Sequence, residues 1–147
     1  MNTLVVYQSK TGFTKKYAEW ISQDLKCDLK DMKSLNKDIE NYDLIIYGGW
    51  IMGGKIMGLD KIKKLNPKKL IAFGVGFTPK EEVDIKKMKT ENKLEDTPLF
   101  YFQGGMNPKK MGFISKMIVR MVTKEKIVYK DNTNKNDIMD LIKMVKA

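Results

Sequence analysis

Histidine is absent from this chain of 147 residues. Its absence excludes histidine metal sites and the Ser-His and Cys-His arrangements of nucleophilic catalysis, and removes the commonest general base. Cysteine occurs once, as Cys27. One thiol excludes a disulfide framework and a cysteine metal cluster. A small side chain at the start of a strand accounts for it. Arginine also occurs once, as Arg120, so 27 of the 28 basic residues are lysine. Specific readers of nucleic acid lean on the planar guanidinium fork, and no specific nucleic-acid partner is expected here. No apolar run approaches the ~20 residues of a membrane span. The first residues enter a strand directly, so neither a signal peptide nor a destination outside the cytoplasm is expected. An enzyme with so few reactive side chains borrows its chemistry from a cofactor.

What remains is a lysine-rich, mixed composition. Apolar residues make up 42% and charged residues 31%, a balance that suits a globular domain with a core. The length fits one domain, residues 1–147. The net charge of +10 gives a diffuse attraction for anions rather than a shaped recognition surface.

The first fourteen residues carry the most specific local signal. The apolar run Leu4-Val5-Val6-Tyr7 feeds into Ser9-Lys10-Thr11-Gly12-Phe13-Thr14. A helical pattern follows, with Tyr17, Ala18, Ile21 and Leu25 at three- and four-residue spacing. A strand therefore ends in a tight loop of hydroxyls and one glycine, where a helix begins. Free backbone N–H groups and the positive end of the helix dipole converge there, and three hydroxyls add donors. The anion that suits this loop is a phosphate. The spacing is neither that of the nucleoside-triphosphate loop nor GxGxxG.

Strand and helix patterns alternate along the rest of the chain. The first strand is expected over 3–7, a helix over 13–25, and a short edge strand near Cys27–Met32. The third strand, Asp43–Gly48, reads as buried on both faces. After it, Gly49-Trp50-Ile51-Met52-Gly53-Gly54-Lys55-Ile56-Met57-Gly58 reads as an apolar, glycine-rich loop, followed by a short helix near Leu59–Leu65. The fourth strand is Lys69–Val75. Thr78-Pro79-Lys80-Glu81 has a capping-box pattern that predicts a helix ending near Lys89. A polar stretch, Thr90–Thr97, leads to the fifth strand, Pro98–Gln103. A basic helix is expected over Met111–Val122, an extended piece over Lys126–Tyr129, and a last helix carrying Ile138, Leu141, Ile142 and Val145 on one face.

This alternation predicts an α/β fold, a doubly wound five-stranded parallel sheet of order 2-1-3-4-5 with helices on both faces. Such a fold binds its ligand beyond the carboxyl ends of the strands, at the switch between strands one and three. The loops that meet there are Ser9–Thr14, then Gly49, Trp50, Ile51, Met52, Gly53 and Gly54, then Gly76, Phe77 and Thr78 after the fourth strand. An aromatic, glycine-rich second loop offers a flat wall and a close backbone, which is what an isoalloxazine ring needs.

The phosphate loop resembles that of flavodoxins, and the chain as a whole is similar to flavodoxin-domain proteins. Within them it most resembles the menaquinone-dependent protoporphyrinogen oxidase branch. The likeness is carried by Tyr7–Thr14, Tyr42–Lys55, Phe73–Pro79, and the basic helix Met111–Val122 with Val128–Asp131 and the last helix. The resemblance implies a bound FMN and flavin-borne redox chemistry with no catalytic side chain. Ser9, Lys10, Thr11, Gly12, Phe13 and Thr14 would serve the phosphate, and the second and third loops the ring. It also implies either an electron carrier passing electrons to a partner protein, or an oxidoreductase acting on a porphyrin with a quinone acceptor. The alternative is a cofactor-free basic module on the same fold, facing a membrane or nucleic acid. A phospho-receiver is excluded: the first and third strands end in Gln8-Ser9 and Gly48-Gly49, not in acidic residues. Residues 109–124 carry Lys109, Lys110, Lys116, Arg120 and Lys124 and no acidic residue, a surface that suits anionic lipid headgroups or porphyrin carboxylates.

Overall fold

The first strand, interior to the sheet, explains the architecture. Leu4, Val5 and Val6 are fully buried, because this strand has neighbours on both sides and helices on both faces. The computed structural model describes the whole chain except residues 113–115, 118–119 and 122–127 and the side chains of 37 and 38. In it β1 (Thr3–Gln8) is followed by α1 (Phe13–Leu25), β2 (Asp28–Asp31), β3 (Leu44–Met52) and β4 (Lys55–Ile56). Then come α2 (Leu59–Lys64), β5 (Leu70–Gly76), α3 (Ile85–Glu91), β6 (Leu99–Gln103), β7 (Gly105–Met106), β8 (Lys130–Asp131) and α4 (Met139–Lys146). The main sheet has the order β2-β1-β3-β5-β6, all parallel, with β4 added antiparallel to the end of β3. Leaving aside the short β4, this is the expected 2-1-3-4-5 order with the crossovers of a doubly wound sheet.

Side-chain alternation along the strands sorts the core into two layers. On one face Val5, Ile46, Phe73 and Phe102 pack against Tyr17 and Ile21 of α1 and Leu141 and Ile142 of α4. On the other, Val6, Ile45, Tyr47 and Ala72 pack against Leu59 and Ile62 of α2 and Met88 of α3. Register brings the carboxyl ends of the strands to one edge. Gln8 lies opposite Gly49, Trp50 opposite Val75, and Gly76 opposite Gln103.

Three expectations are corrected. Gly49–Gly58 is not a loop throughout. β3 runs on to Met52 and turns back through Gly53 and Gly54, at φ of 58° and 82°, into β4. Added pairing with β4 makes a hairpin more favourable than a free loop. Second, no helix starts at Thr78-Pro79. The Thr78 carbonyl accepts the Tyr101 hydroxyl, Lys80–Glu82 forms only a 3₁₀ turn, and Val83 is extended. The helix starts at Ile85, where the Asp84 carboxylate accepts the Lys87 N–H at 3.2 Å. Third, the extended pairing expected over Lys126–Tyr129 falls instead at Lys130–Asp131, against Gly105–Met106. Val128 and Tyr129 are exposed and unpaired, and 126–127 lie outside the described residues. Half of the helix expected over Met111–Val122 lies outside them too, while Lys116, Met117, Arg120 and Met121 within it are helical. Among the described residues no helix is long and apolar enough to cross a membrane.

Candidate functional site

The anion loop is built by its one glycine. Gly12 stands at φ 101°, in the left-handed region, and serves as the N-cap of α1 without a side-chain cap. Its N–H is taken by the Ser9 hydroxyl oxygen at 3.1 Å, which braces the loop from within. The first intrahelical bond is from the Lys16 N–H to the Gly12 carbonyl at 3.1 Å. The N–H groups of Phe13, Thr14 and Lys15 precede it and have no intrahelical partner. No acidic residue occupies the first turn of α1, so nothing there competes with an anion for the dipole.

This loop opens onto a cavity of about 820 Å³ at the carboxyl edge of the sheet. That is within the range of small-molecule sites. Lys10, Thr11, Phe13 and Thr14 line one end of it. Trp50, Ile51, Met52, Gly53 and Gly54 line it from the β3–β4 hairpin, and Gly76, Phe77 and Thr78 from the end of β5. Three of the expected residues do not line it. Ser9 is turned inward as the brace, and Gly12 supplies the turn. Gly49 is packed within the sheet, where a side chain would run into the Met57 carbonyl.

Residues that the sequence did not single out complete the wall. Val75, Tyr101, Gly104, Gly105 and Met106 close the β5–β6 side. Glu82, Asp84, Lys87 and Glu91 rim the side nearest α3. The paired glycines Gly104-Gly105, directly after a parallel strand, were a readable signal. A side chain at Gly105 would collide with the Lys130 carbonyl, so β8 can pair there only because position 105 is glycine.

Polar contacts set the walls in place. Asn92, nearly buried, holds the hairpin: its Oδ1 accepts the Ile56 N–H at 2.8 Å and its Nδ2 donates to the Gly54 carbonyl at 2.9 Å. The same Nδ2 also donates to the Met88 carbonyl at 2.8 Å, tying the hairpin to α3. Tyr17, fully buried, donates its hydroxyl to the Gln103 carbonyl and accepts the Asn134 N–H at 3.1 Å. Burial pushes its phenol up to about 12, so it stays a donor through the physiological range. Burial opposes ionisation of Asp131 too, but hydrogen bonds from Lys16 and Thr133 prevail and hold its carboxyl below the usual range. The Lys130 ammonium lies 6.0 Å from the centre of the Phe77 ring, at the mouth of the ring side.

One atom in this wall is unsatisfied. The Nε1 of Trp50 is buried and has no hydrogen-bond partner among the described residues. A buried indole N–H without an acceptor costs free energy, and Trp50 lines the cavity. The site therefore combines free amides and hydroxyls at one end, apolar and aromatic walls at the other, and a donor awaiting an acceptor. That set fits a phosphorylated, flat, heteroaromatic ligand such as FMN. Among the described residues no group of His, Cys, Asp and Glu is arranged to hold a metal ion.

Fold and site define a flavodoxin-type α/β domain. The chain belongs to the flavodoxin domain family, whose model matches residues 4–133. It is 35% identical over 82 residues to the flavodoxin-like domain-containing protein BilS of Clostridioides difficile, a match covering 50% of this chain and 46% of that protein. It is 38% identical over 84 residues to the uncharacterized protein MJ0298 of Methanocaldococcus jannaschii, covering 52% of this chain and 56% of that one. The chain thus matches about half the length of these curated relatives. Among solved structures, a flavodoxin from the domain Archaea superposes with a TM-score of 0.51 at 19% identity, over 84% of this chain and 98% of that chain. At that identity the likeness concerns the fold.

Proposed function

We propose that this protein binds FMN and works as a flavodoxin-type redox protein. The Ser9–Thr14 loop holds the phosphate, and the ring lies between the Trp50–Gly54 hairpin and Gly76–Thr78. The observation that supports this most is the convergence of the three loops on one cavity whose buried indole N–H lacks an acceptor. When bound, the flavin supplies the electron-transfer chemistry. The chain's own residues bind the phosphate, exclude water with Phe77, Ile51 and Val75, and present backbone groups to the ring edge. Among the glycines of the hairpin, Gly53 has a φ of 58° and open space around it, so its peptide has room to reorient beside the ring.

FMN is expected to bind more tightly than riboflavin. Thr11→Ala and Thr14→Ala are each expected to weaken FMN by roughly 1.5–3 kcal/mol, the range for hydrogen bonds to a charged group, and to leave riboflavin unchanged. Fluorescence titration of the apoprotein with both flavins measures this. Equal affinity for the two would overturn the phosphate assignment.

The finer reading is an oxidoreductase acting on a porphyrin with a quinone acceptor. Its support is the resemblance in sequence; Gly53 departs from it, standing where that branch is expected to carry an aromatic residue. Protoporphyrin fluorescence appearing when the FMN-loaded protein meets protoporphyrinogen and a soluble quinone, under anaerobic conditions, would support it. No turnover would leave an electron carrier for a partner protein.

Peripheral association with anionic membrane through residues 109–124, from a cytoplasmic location, belongs to the same proposal. Met117 and Met121 are 48% and 76% exposed beside Lys116 and Arg120, an apolar and basic combination. Each cation contributes about 1 kcal/mol near such a surface. Replacing Lys109, Lys116 and Arg120 with Gln is expected to abolish sedimentation with anionic vesicles at low salt. A wild type that ignores those vesicles would overturn the membrane reading.

A further inference from the structure

We infer that Lys110 is a cationic anchor for the ligand's phosphate, placed over an anion loop of hydroxyls and amides whose own cation is Lys10. The inference rests on the FMN reading. The Lys110 ammonium lies 3.9 Å from the point where a β-carbon on Gly12 would stand. It therefore hangs over the N-terminus of α1, although the two residues are far apart in the chain.

Its position follows from a chain of contacts. β7 pairs with β8 through Gly105 with Asp131 and Met106 with Lys130. Asp131 is tied to α1 by the Lys16 ammonium at 2.8 Å. This fixes the base of the segment that leaves β7 against the helix whose N-terminus forms the loop. Pro108 then starts a 3₁₀ turn, closed by the Lys110 N–H on the Asn107 carbonyl at 3.0 Å. The residues on this turn's flanks, Asn107 and Met111, line the cavity.

The positive charges in this arrangement have no protein counter-charge among the described residues. The helix end carries the positive pole of its dipole, and its first turn holds no acidic residue. Asp131, the carboxylate brought near by the ribbon, is engaged by Lys16 and Thr133. Lys110 has no ion-pair partner among the described residues. An ammonium facing a positive helix end is repelled unless an anion sits between them. A phosphate there would accept from the helix amides on one side and from Lys110 on the other. The glycine at position 12 is required by its φ of 101°, and a β-carbon there would stand at ordinary contact distance from the ammonium.

The test compares FMN and riboflavin binding to the wild type, Lys110→Met and Lys109→Met. Lys109 lies on the same 3₁₀ turn and loses the same charge. Lys110→Met is expected to weaken FMN about tenfold or more, as a charge-assisted hydrogen bond would, with riboflavin affinity unchanged. Lys109→Met is expected to change FMN affinity less than about twofold, as a screened surface charge does. Retained riboflavin binding shows that both variants are folded. If the wild type prefers FMN and Lys110→Met keeps the whole preference, the anchor is wrong and the FMN reading stands. Equal losses in the two lysine variants would also overturn it, because only the general field would then be acting. A wild type that does not distinguish the two flavins would instead overturn the FMN reading beneath it.

Discussion

Gly48→Ala is expected to destabilise the protein by about 3 kcal/mol, at the upper end of the usual cost of overpacking a core. Gly48 lies in the centre of the sheet, opposite Tyr7 in β1 and Phe73 in β5. A β-carbon at that position would overlap the ring of Phe73, which is fully buried. The ring has no free direction in which to move. It packs on Phe102 with centroids 5.3 Å apart, and Phe102 is stacked on Tyr17 at 4.9 Å. The clash is thus passed to the layer that supports α1 and its anion loop. Urea unfolding gives the loss, and a Gly48→Ala, Phe73→Leu double variant is expected to recover part of it, since the two residues touch. A Gly48→Ala protein within about 0.5 kcal/mol of the wild type, the usual range for a neutral surface substitution, would show that the layer yields more readily than its packing implies. Gly53→Ala is the contrast. Nothing lies within 4 Å of its β-carbon position, so its cost is the left-handed backbone alone, about 1 kcal/mol.

Asn92→Ala is expected to cost about 2–4 kcal/mol and to weaken FMN and riboflavin alike. The substitution strips a partner from the Ile56 N–H and from the Gly54 and Met88 carbonyls. Each buried group left unsatisfied costs about 1–3 kcal/mol, and water reaching the hairpin recovers some of that. Two of the three groups lie in the hairpin that faces the ring, so the wall loosens where both flavins make the same contacts. This separates Asn92 from Thr11, Thr14 and Lys110, whose loss is expected to touch FMN alone. Asn92→Asp keeps an acceptor for Ile56 but loses both donated bonds, and is expected to fall between. Stability unchanged in Asn92→Ala would mean that the hairpin is held by its strand pairing and not by this amide.

How much of this was readable beforehand follows from the range of each interaction. The β1 strand, the α1 helix and the hydroxyl loop between them lie within one short stretch, and the structure places them within a residue of the sequence reading. Period-two and period-3.6 patterns report burial directly, and the alternation of elements leaves few ways to wind a parallel sheet. The same logic placed Trp50 and Phe77 at the carboxyl edge, because a strand's end is local knowledge. It misjudged Gly49–Gly58, since a continuing strand and a glycine loop have the same composition until a partner strand decides between them. It misjudged the start of α3 for a related reason. The Thr78 carbonyl is claimed by the Tyr101 hydroxyl, a contact across the sheet that no capping pattern can anticipate. Asn92 sat unnoticed in a polar stretch, because its meaning lies in three backbone groups brought to it by the hairpin and by α3. Lys110 read as one cation among many on a basic surface, and only the β7–β8 ribbon, held to α1 through Lys16 and Asp131, sets it above Gly12. By itself the sequence determined the sheet, the helix that begins at the anion loop, and the flavin-type chemistry they imply, because periodicity and loop composition act over a few residues. The tertiary structure alone decided that the Trp50 indole lines the cavity, that the Asn92 amide holds the hairpin and that the Lys110 ammonium stands over Gly12, because those juxtapositions depend on strand register and on contacts between distant segments.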